Sequence, residues 1–291
     1  MLPEAPLENR PRHPLEQDPA KVTAAEREAL RKTRVTLRIP VVRPTATYIL
    51  IAINIVVFTV RALSPEIDFM LVEWGANNQV MIFANGELHR LFTSMFLHAG
   101  IHLPFGQFAF QNAIHLVLNV SAILSSGQII EPMFGHTRFV LIYLLGGLMG
   151  SIFSALLGSP STFSLGASGA AFALLGAEFV YLYKHRKLFG VQAQNQMRGL
   201  LVLAATNLGF GILSSLSESG MRIDNWAHIG GAVGGIVLAW SISPLFLVRP
   251  HPDQSNTLLG EDVNPLKGRT SAISLYIAGL ILLLIMGSLI V

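Results

Sequence analysis

Seven stretches of mostly apolar sequence constrain this chain more than any other feature. They run near Thr47–Leu63, Ala113–Ile130, Phe139–Leu157, Leu165–Tyr183, Gly199–Leu216, Trp226–Leu247 and Ser271–Val291. A bilayer-spanning helix needs roughly 20 such residues, with about 17 to 25 as the working range. No water is present in the hydrocarbon to pair with backbone groups, so a span must satisfy its own hydrogen bonds. The pattern predicts an all-α fold: a polytopic helical membrane protein. Composition agrees, since 13% of residues are charged against about 25% in an ordinary soluble domain.

Basic residues orient the spans. With the N-terminus in the cytosol, every Lys and Arg except Arg61, Arg90 and Arg222 falls in the tail or a cytosolic loop. This bias is the usual signature of topology. An odd number of spans then puts Val291 outside. The expected organisation is a polar cytosolic tail over 1–45, a core over 46–250, a cytosolic linker over 251–270 and a seventh span over 271–291. The tail has room for a short helix over Ala24–Thr33. It is too rich in acids for a transit peptide and lacks the apolar stretch of a secretory signal. The external loop 64–112 is aromatic in places, notably over Pro104–Phe110, and is expected to lie partly in the membrane interface.

Polar residues inside spans narrow the chemistry, because they are costly in lipid and usually functional or paired. The chain has no cysteine, which excludes disulfides, thiolate catalysis and thiolate metal sites. No Asp falls in a span, which excludes a paired-aspartate protease. No His-Glu-x-x-His occurs, so a zinc protease of that kind is also excluded. His98 and His102 have a one-turn spacing but no Glu between them, and no metal is expected.

A serine and a histidine remain. Ser168 stands in Gly166-Ala167-Ser168-Gly169, where a loop meets the fourth span. A serine there has unpaired backbone N–H groups beside it that can hold an oxyanion. By itself the pattern is weak and is better read as a helix N-cap. Ser168, His228 on the sixth span and His115 on the second each stand about 22–24 Å of helix from the cytosolic end. The three therefore share a level below the outer surface. Gly231 and Gly235 follow His228 at four-residue spacing, and Gly169, Ala173 and Ala177 repeat it on the fourth span. Small-residue faces of this kind let helices approach closely, which would bring His228 to Ser168 as its base. The bland alternative is a packing histidine bonded to a carbonyl. His115 and Asn119 share a helix face, either as oxyanion donors or as an interhelical structural pair. Glu178 lies about 15 Å of helix beyond Ser168, too far to orient the histidine, so a dyad is expected and not a triad.

These residues resemble the rhomboid family of intramembrane serine proteases over most of 46–250. The motifs are His115-x-x-x-Asn119, Gly166-x-Ser168-Gly169 and Ala227-His228-x-x-Gly231-x-x-x-Gly235, in that order on the second, fourth and sixth spans. The resemblance implies a six-helix core with a seventh helix added. It also implies a serine endopeptidase that cuts single-pass transmembrane proteins near their external end. The implied roles are Ser168 as nucleophile, His228 as base, and His115, Asn119, Gly166 and the Ser168 N–H at the oxyanion. No cofactor is implied. The implied partners are transmembrane substrates and membrane lipid, not nucleic acid. Substrate would enter beside the fifth span, under a cap at Glu218–Asn225.

Three departures stand out. His89-Arg90 replaces the family's Trp-Arg. His102 lacks the asparagine expected at 106, so 103–115 reads as an insertion. Phe172 occupies a position that is often Tyr, and it can stack on His228 without donating a hydrogen bond. Two rivals compete with the protease: a silent rhomboid-like protein that binds or escorts membrane proteins, and a small transporter. The transporter would want charged groups at the midplane.

Overall fold

The computed structural model describes residues 36–98, 100, 111–216 and 223–290. Most of the apolar segments are helical. In chain order the helices are α1 (Thr45–Arg61), α2 (Pro65–Gly75), α3 (Gln79–Phe83), α4 (Arg90–Thr93), α5 (Gln111–Phe134), α6 (His136–Leu157), α7 (Ser168–Lys184), α8 (Arg186–Phe189), α9 (Val191–Leu216), α10 (Asn225–Ile242) and α11 (Thr270–Ile290). The protein is a polytopic helical membrane protein. Among the described residues four helical segments, Asn112–Phe134, His136–Leu157, Val191–Leu216 and Leu266–Ile290, are long and apolar enough to cross a bilayer by length and composition. The expected tail helix, the aromatic stretch 104–110, most of the insertion and most of the cap loop lie outside the described residues.

The chain divides into two units, 1–39 with 247–261, and 40–246 with 262–291. The first carries a small sheet that hydropathy does not reveal. Strands β1 (Thr36–Arg38), β2 (Phe246–His251) and β3 (Gln254–Asp262) lie in the order β1-β3-β2. β1 runs parallel to β3, with Leu37 opposite Leu258. The stretch 251–270, expected as linker, thus holds strand as well.

Within the larger unit, the ends of several helices depart from the apolar boundaries for identifiable reasons. α9 begins at Val191, well before Gly199, because Gln, Ala, Met and Arg in 191–198 are good helix formers despite their polarity. α10 stops at Ile242, with Ser243 extended; Pro244 disfavours helix in the residue before it. α1 has Pro44 at its N-cap and no side-chain cap. Glu131 of α5 supplies one instead. Its fully buried carboxylate accepts from Ala46 N (2.8 Å), Thr47 N (2.7 Å) and Thr47 Oγ1 (2.6 Å). A negative charge at the positive end of a helix is favourable.

The described part of the loop between the first two expected spans, 64–98, is largely structured. Ser64 caps α2 by accepting from Ile67 N, and Pro65 follows at the first helical position. Arg90 is buried, ion-paired to Glu87, and donates to Ala76 O (3.1 Å), which ties α4 to the end of α2. This pairing holds the Glu87 carboxyl below its ordinary value. Phe69, Met70 and Trp74 are exposed on α2, an apolar surface suited to the membrane interface.

Candidate active site

Three glycines converge where α6, α7 and α10 meet. A Cβ built on Gly150 would lie 2.7 Å from Ala227 O, 3.3 Å from Gly169 Cα and 3.3 Å from Gly231 N. A Cβ on Gly231 would collide with the Gly169 carbonyl, and one on Gly235 with the Ala173 carbonyl. The backbones of α7 and α10 are thus in direct contact along the two small-residue faces expected from sequence. Sequence reading missed α6 as the third partner. The signal was available, since Gly146 and Gly150 repeat the same four-residue spacing.

This contact sets the height of the two candidate reactive residues. Ser168 is the first residue of α7, after Ala167 at the N-cap. Gly169, Ala170 and Ala171 are buried, whereas Ser168 is partly exposed. The N–H groups of a first turn have no intrahelical partners. His228 lies in the first turn of α10 and is 4% exposed. Its ring stacks on Phe172, one turn along α7 from Ser168, with centroids 4.2 Å apart and planes 7° from parallel. His228 Nδ1 is buried and has no hydrogen-bond partner among the described residues. The carboxylate of Asp224 is hydrogen-bonded to the start of the helix and to two hydroxyls, not to the ring. Its Oδ1 accepts from Ala227 N (2.9 Å), and its Oδ2 accepts from the hydroxyls of Ser154 and Ser164. The start of α10 is thereby pinned to α6 and to the loop before α7.

That loop is itself tied to the segment between α1 and α5. Asn77 and Ser164 exchange two backbone hydrogen bonds of 2.8 Å, and Asn77 Nδ2 reaches Ser151 O. Gly166 N donates to Ser94 O (2.9 Å). Its N–H is therefore engaged, and what Gly166 offers the site is space. Gly166 has φ +139°, a conformation that favours glycine. A Cβ there would lie 3.0 Å from His115 Cε1, 3.2 Å from His115 Nε2 and 3.8 Å from Ser168 Oγ. The His115 ring and the Ser168 hydroxyl border one small volume. Asn119 is buried and spends one amide proton on His115 O (2.8 Å), which leaves its second N–H for other work.

His98 lies in this neighbourhood, with its ring centroid 5.5 Å from that of His115. Sequence reading weighed it only as a metal ligand. Among the described residues no group of three His, Asp or Glu could hold a metal ion, and His102 lies outside them. Burial first, then the His115 ring, push the His98 imidazole down to about 3, so it is neutral at physiological pH.

Comparison with known proteins identifies the family. Residues 85–245 match the Rhomboid domain, a stretch that contains Ser168, His228, His115, Asn119 and the three glycines. The chain belongs to the rhomboid family. It is 38% identical over 199 residues to "Rhomboid protease GluP" of Bacillus subtilis (strain 168), covering 68% of this chain and 34% of that protein. It is 33% identical over 184 residues to "RHOMBOID-like protein 1" of Arabidopsis thaliana, covering 62% of this chain and 40% of that protein. "RHOMBOID-like protein 6, mitochondrial" of the same plant is 35% identical over 181 residues, with 62% and 51% covered. The chain thus spans between about a third and a half of the length of these rhomboid relatives.

Proposed function

We propose that this rhomboid protein is an intramembrane serine endopeptidase that cleaves single-pass transmembrane proteins near the external side of the bilayer. The observation that carries the reading is the stack of His228 on Phe172, one helical turn from a partly exposed Ser168. Ser168 Oγ attacks the scissile carbonyl while His228 takes its proton. The tetrahedral oxyanion forms against the Ser168 N–H, His115 and Asn119. His228 then protonates the leaving amine, and water frees the acyl group from the serine. No acid orients the imidazole, and Phe172 supplies that restraint by stacking.

The substrate carbonyl must be exposed before attack, because a hydrogen-bonded helix hides it. Substrates should carry Gly or Pro near the cut. Entry lies beside α9. The N-terminus is cytosolic, the C-terminus external, and the membrane is the plasma membrane.

Purified protein in detergent, incubated with a generic transmembrane substrate, tests the proposal. Ser168→Ala should abolish cleavage and fluorophosphonate labelling while leaving protein yield unchanged. Cleavage retained in Ser168→Ala would remove the serine from the mechanism. A folded wild-type protein that neither cleaves nor labels would favour the silent, escorting reading.

A further inference from the structure

His98 is fully buried, and neither ring nitrogen has a hydrogen-bond partner among the described residues. A buried polar group left unpaired costs about 1–3 kcal/mol, so such a group in a folded protein needs an explanation. The Phe96 carbonyl lies within electrostatic reach of the ring without meeting hydrogen-bond geometry.

The backbone of His98 is fixed. Its carbonyl accepts from Arg61, whose guanidinium is ion-paired to buried Asp68, with Nε 2.7 Å from Oδ1. The residue is therefore anchored to the end of α1 while its ring faces the His115 ring, tilted by 58°. The His115 ring also borders Gly166, where an added Cβ would stand 3.0 Å from Cε1 and 3.2 Å from Nε2. To donate from Nε2, a neutral imidazole must carry its proton there, and that tautomer is set by what Nδ1 bonds to.

Resting on the protease reading, we propose that His98 is the positioning residue for His115. One of its ring nitrogens donates to His115 Nδ1, fixes the Nε2–H tautomer and holds that proton toward the oxyanion beside Ser168. The centroid separation is close to that of two imidazoles sharing one N–H···N bond. A small ring rotation completes it, as catalytic hydrogen bonds often tighten only when substrate binds. The neutral state of His98 leaves it one donor and one acceptor, so it can play this part at any working pH.

Two variants separate positioning from packing. His98→Phe keeps the ring volume and loses the nitrogens, while His98→Gln keeps a donor. With a transmembrane substrate, His98→Phe should lower kcat about 10- to 100-fold, by analogy with the loss of a group that orients a metal-bound histidine. KM should stay within about twofold, because only transition-state binding is lost. His98→Gln should recover most of the loss. In a His115→Ala background, His98→Phe should cost nothing further, because the two residues act as one unit.

Nitrogen NMR of imidazole-labelled protein reads the tautomer of His115 whether or not turnover is measured. It should show Nε2–H alone in the wild type, a mixture in His98→Phe and a return in His98→Gln. The proposal is overturned if the tautomer is unchanged in His98→Phe, or if both variants lose kcat only in proportion to lost folded protein. If the wild type shows the fixed tautomer but no Ser168-dependent cleavage, the protease reading fails and the positioning of His115 by His98 stands.

Discussion

Helix α10 and helix α9 are both apolar and both contain glycines, yet they behave as opposites. α10 buries Gly230, Gly231, Gly234 and Gly235, each against backbone or side chains of its neighbours. α9 has 26 residues and buries only Ala193 and Gly211. Gly199 and Gly209 on α9 face nothing within 4 Å. Lipid tails are as apolar as leucine, so apolarity does not drive one helix onto another in a membrane. What separates the two is whether a row of small residues meets a second backbone. The row on α10 does, and it carries a candidate catalytic residue at a fixed height. Most of α9 does not, and it is held to the start of α10 by two polar contacts: Asn225 Nδ2 to Leu208 O (3.1 Å) and Ile223 N to Ser214 Oγ (3.1 Å). On the proposed reading, the tightly packed wall holds the chemistry, and the loosely held helix stands where a substrate would have to pass.

The effect of replacing a glycine by alanine should therefore follow what that glycine meets. The largest effect is expected for Gly231→Ala. Its new methyl would run into the Gly169 carbonyl, a backbone atom that cannot swing aside. Overpacking of a tight site costs about 1–3 kcal/mol, occasionally more, and the upper end is expected here. Thermal unfolding in detergent should show a large drop, and the stack of His228 on Phe172 should be lost with it. An unchanged midpoint would mean that α7 and α10 separate easily, and the contrast with α9 would vanish.

How far this contrast was legible in the sequence depends on which residues carry it. The glycine spacing in α10 and the Gly169 row on α7 showed in the sequence which faces touch, because close approach requires missing side chains. The stack of Phe172 on His228 was legible from the family resemblance, which places an aromatic residue one turn after the serine. Other features left less trace. Glu131 caps α1 from 84 residues away in sequence, and no local pattern announces such a partner. The β-sheet was invisible because β1 has only three residues and β2 and β3 are only part-apolar. The interest of His98 was hidden because its meaning comes from the ring beside it, not from its spacing to His102. The start of α9 was misplaced because hydropathy reports where lipid would end, not where helical hydrogen bonding ends.

A smaller effect is expected at the one glycine of α9 that does meet α10. A Cβ on Gly211 would collide with the side-chain amide of Asn225. That amide is the far end of a movable side chain, so Gly211→Ala should displace it and release its bond to Leu208 O. The loss of one hydrogen bond of this kind is worth about 0.5–1.5 kcal/mol. The melting midpoint should fall modestly, and a spin label at position 212 should become more mobile. Unchanged mobility would show that Asn225 does not tether α9.

The smallest effect is expected at Gly209, and its sign is the informative part. Nothing lies near the added methyl, and glycine within a helix is worse than alanine by roughly 0.5–1 kcal/mol. Gly209→Ala should therefore raise the unfolding midpoint slightly, opposite in sign to Gly231→Ala. If it lowered the midpoint instead, that face of α9 must meet another backbone when the protein sits in its membrane. α9 would then be a packed helix like α10, and the route proposed for substrate beside it would be closed.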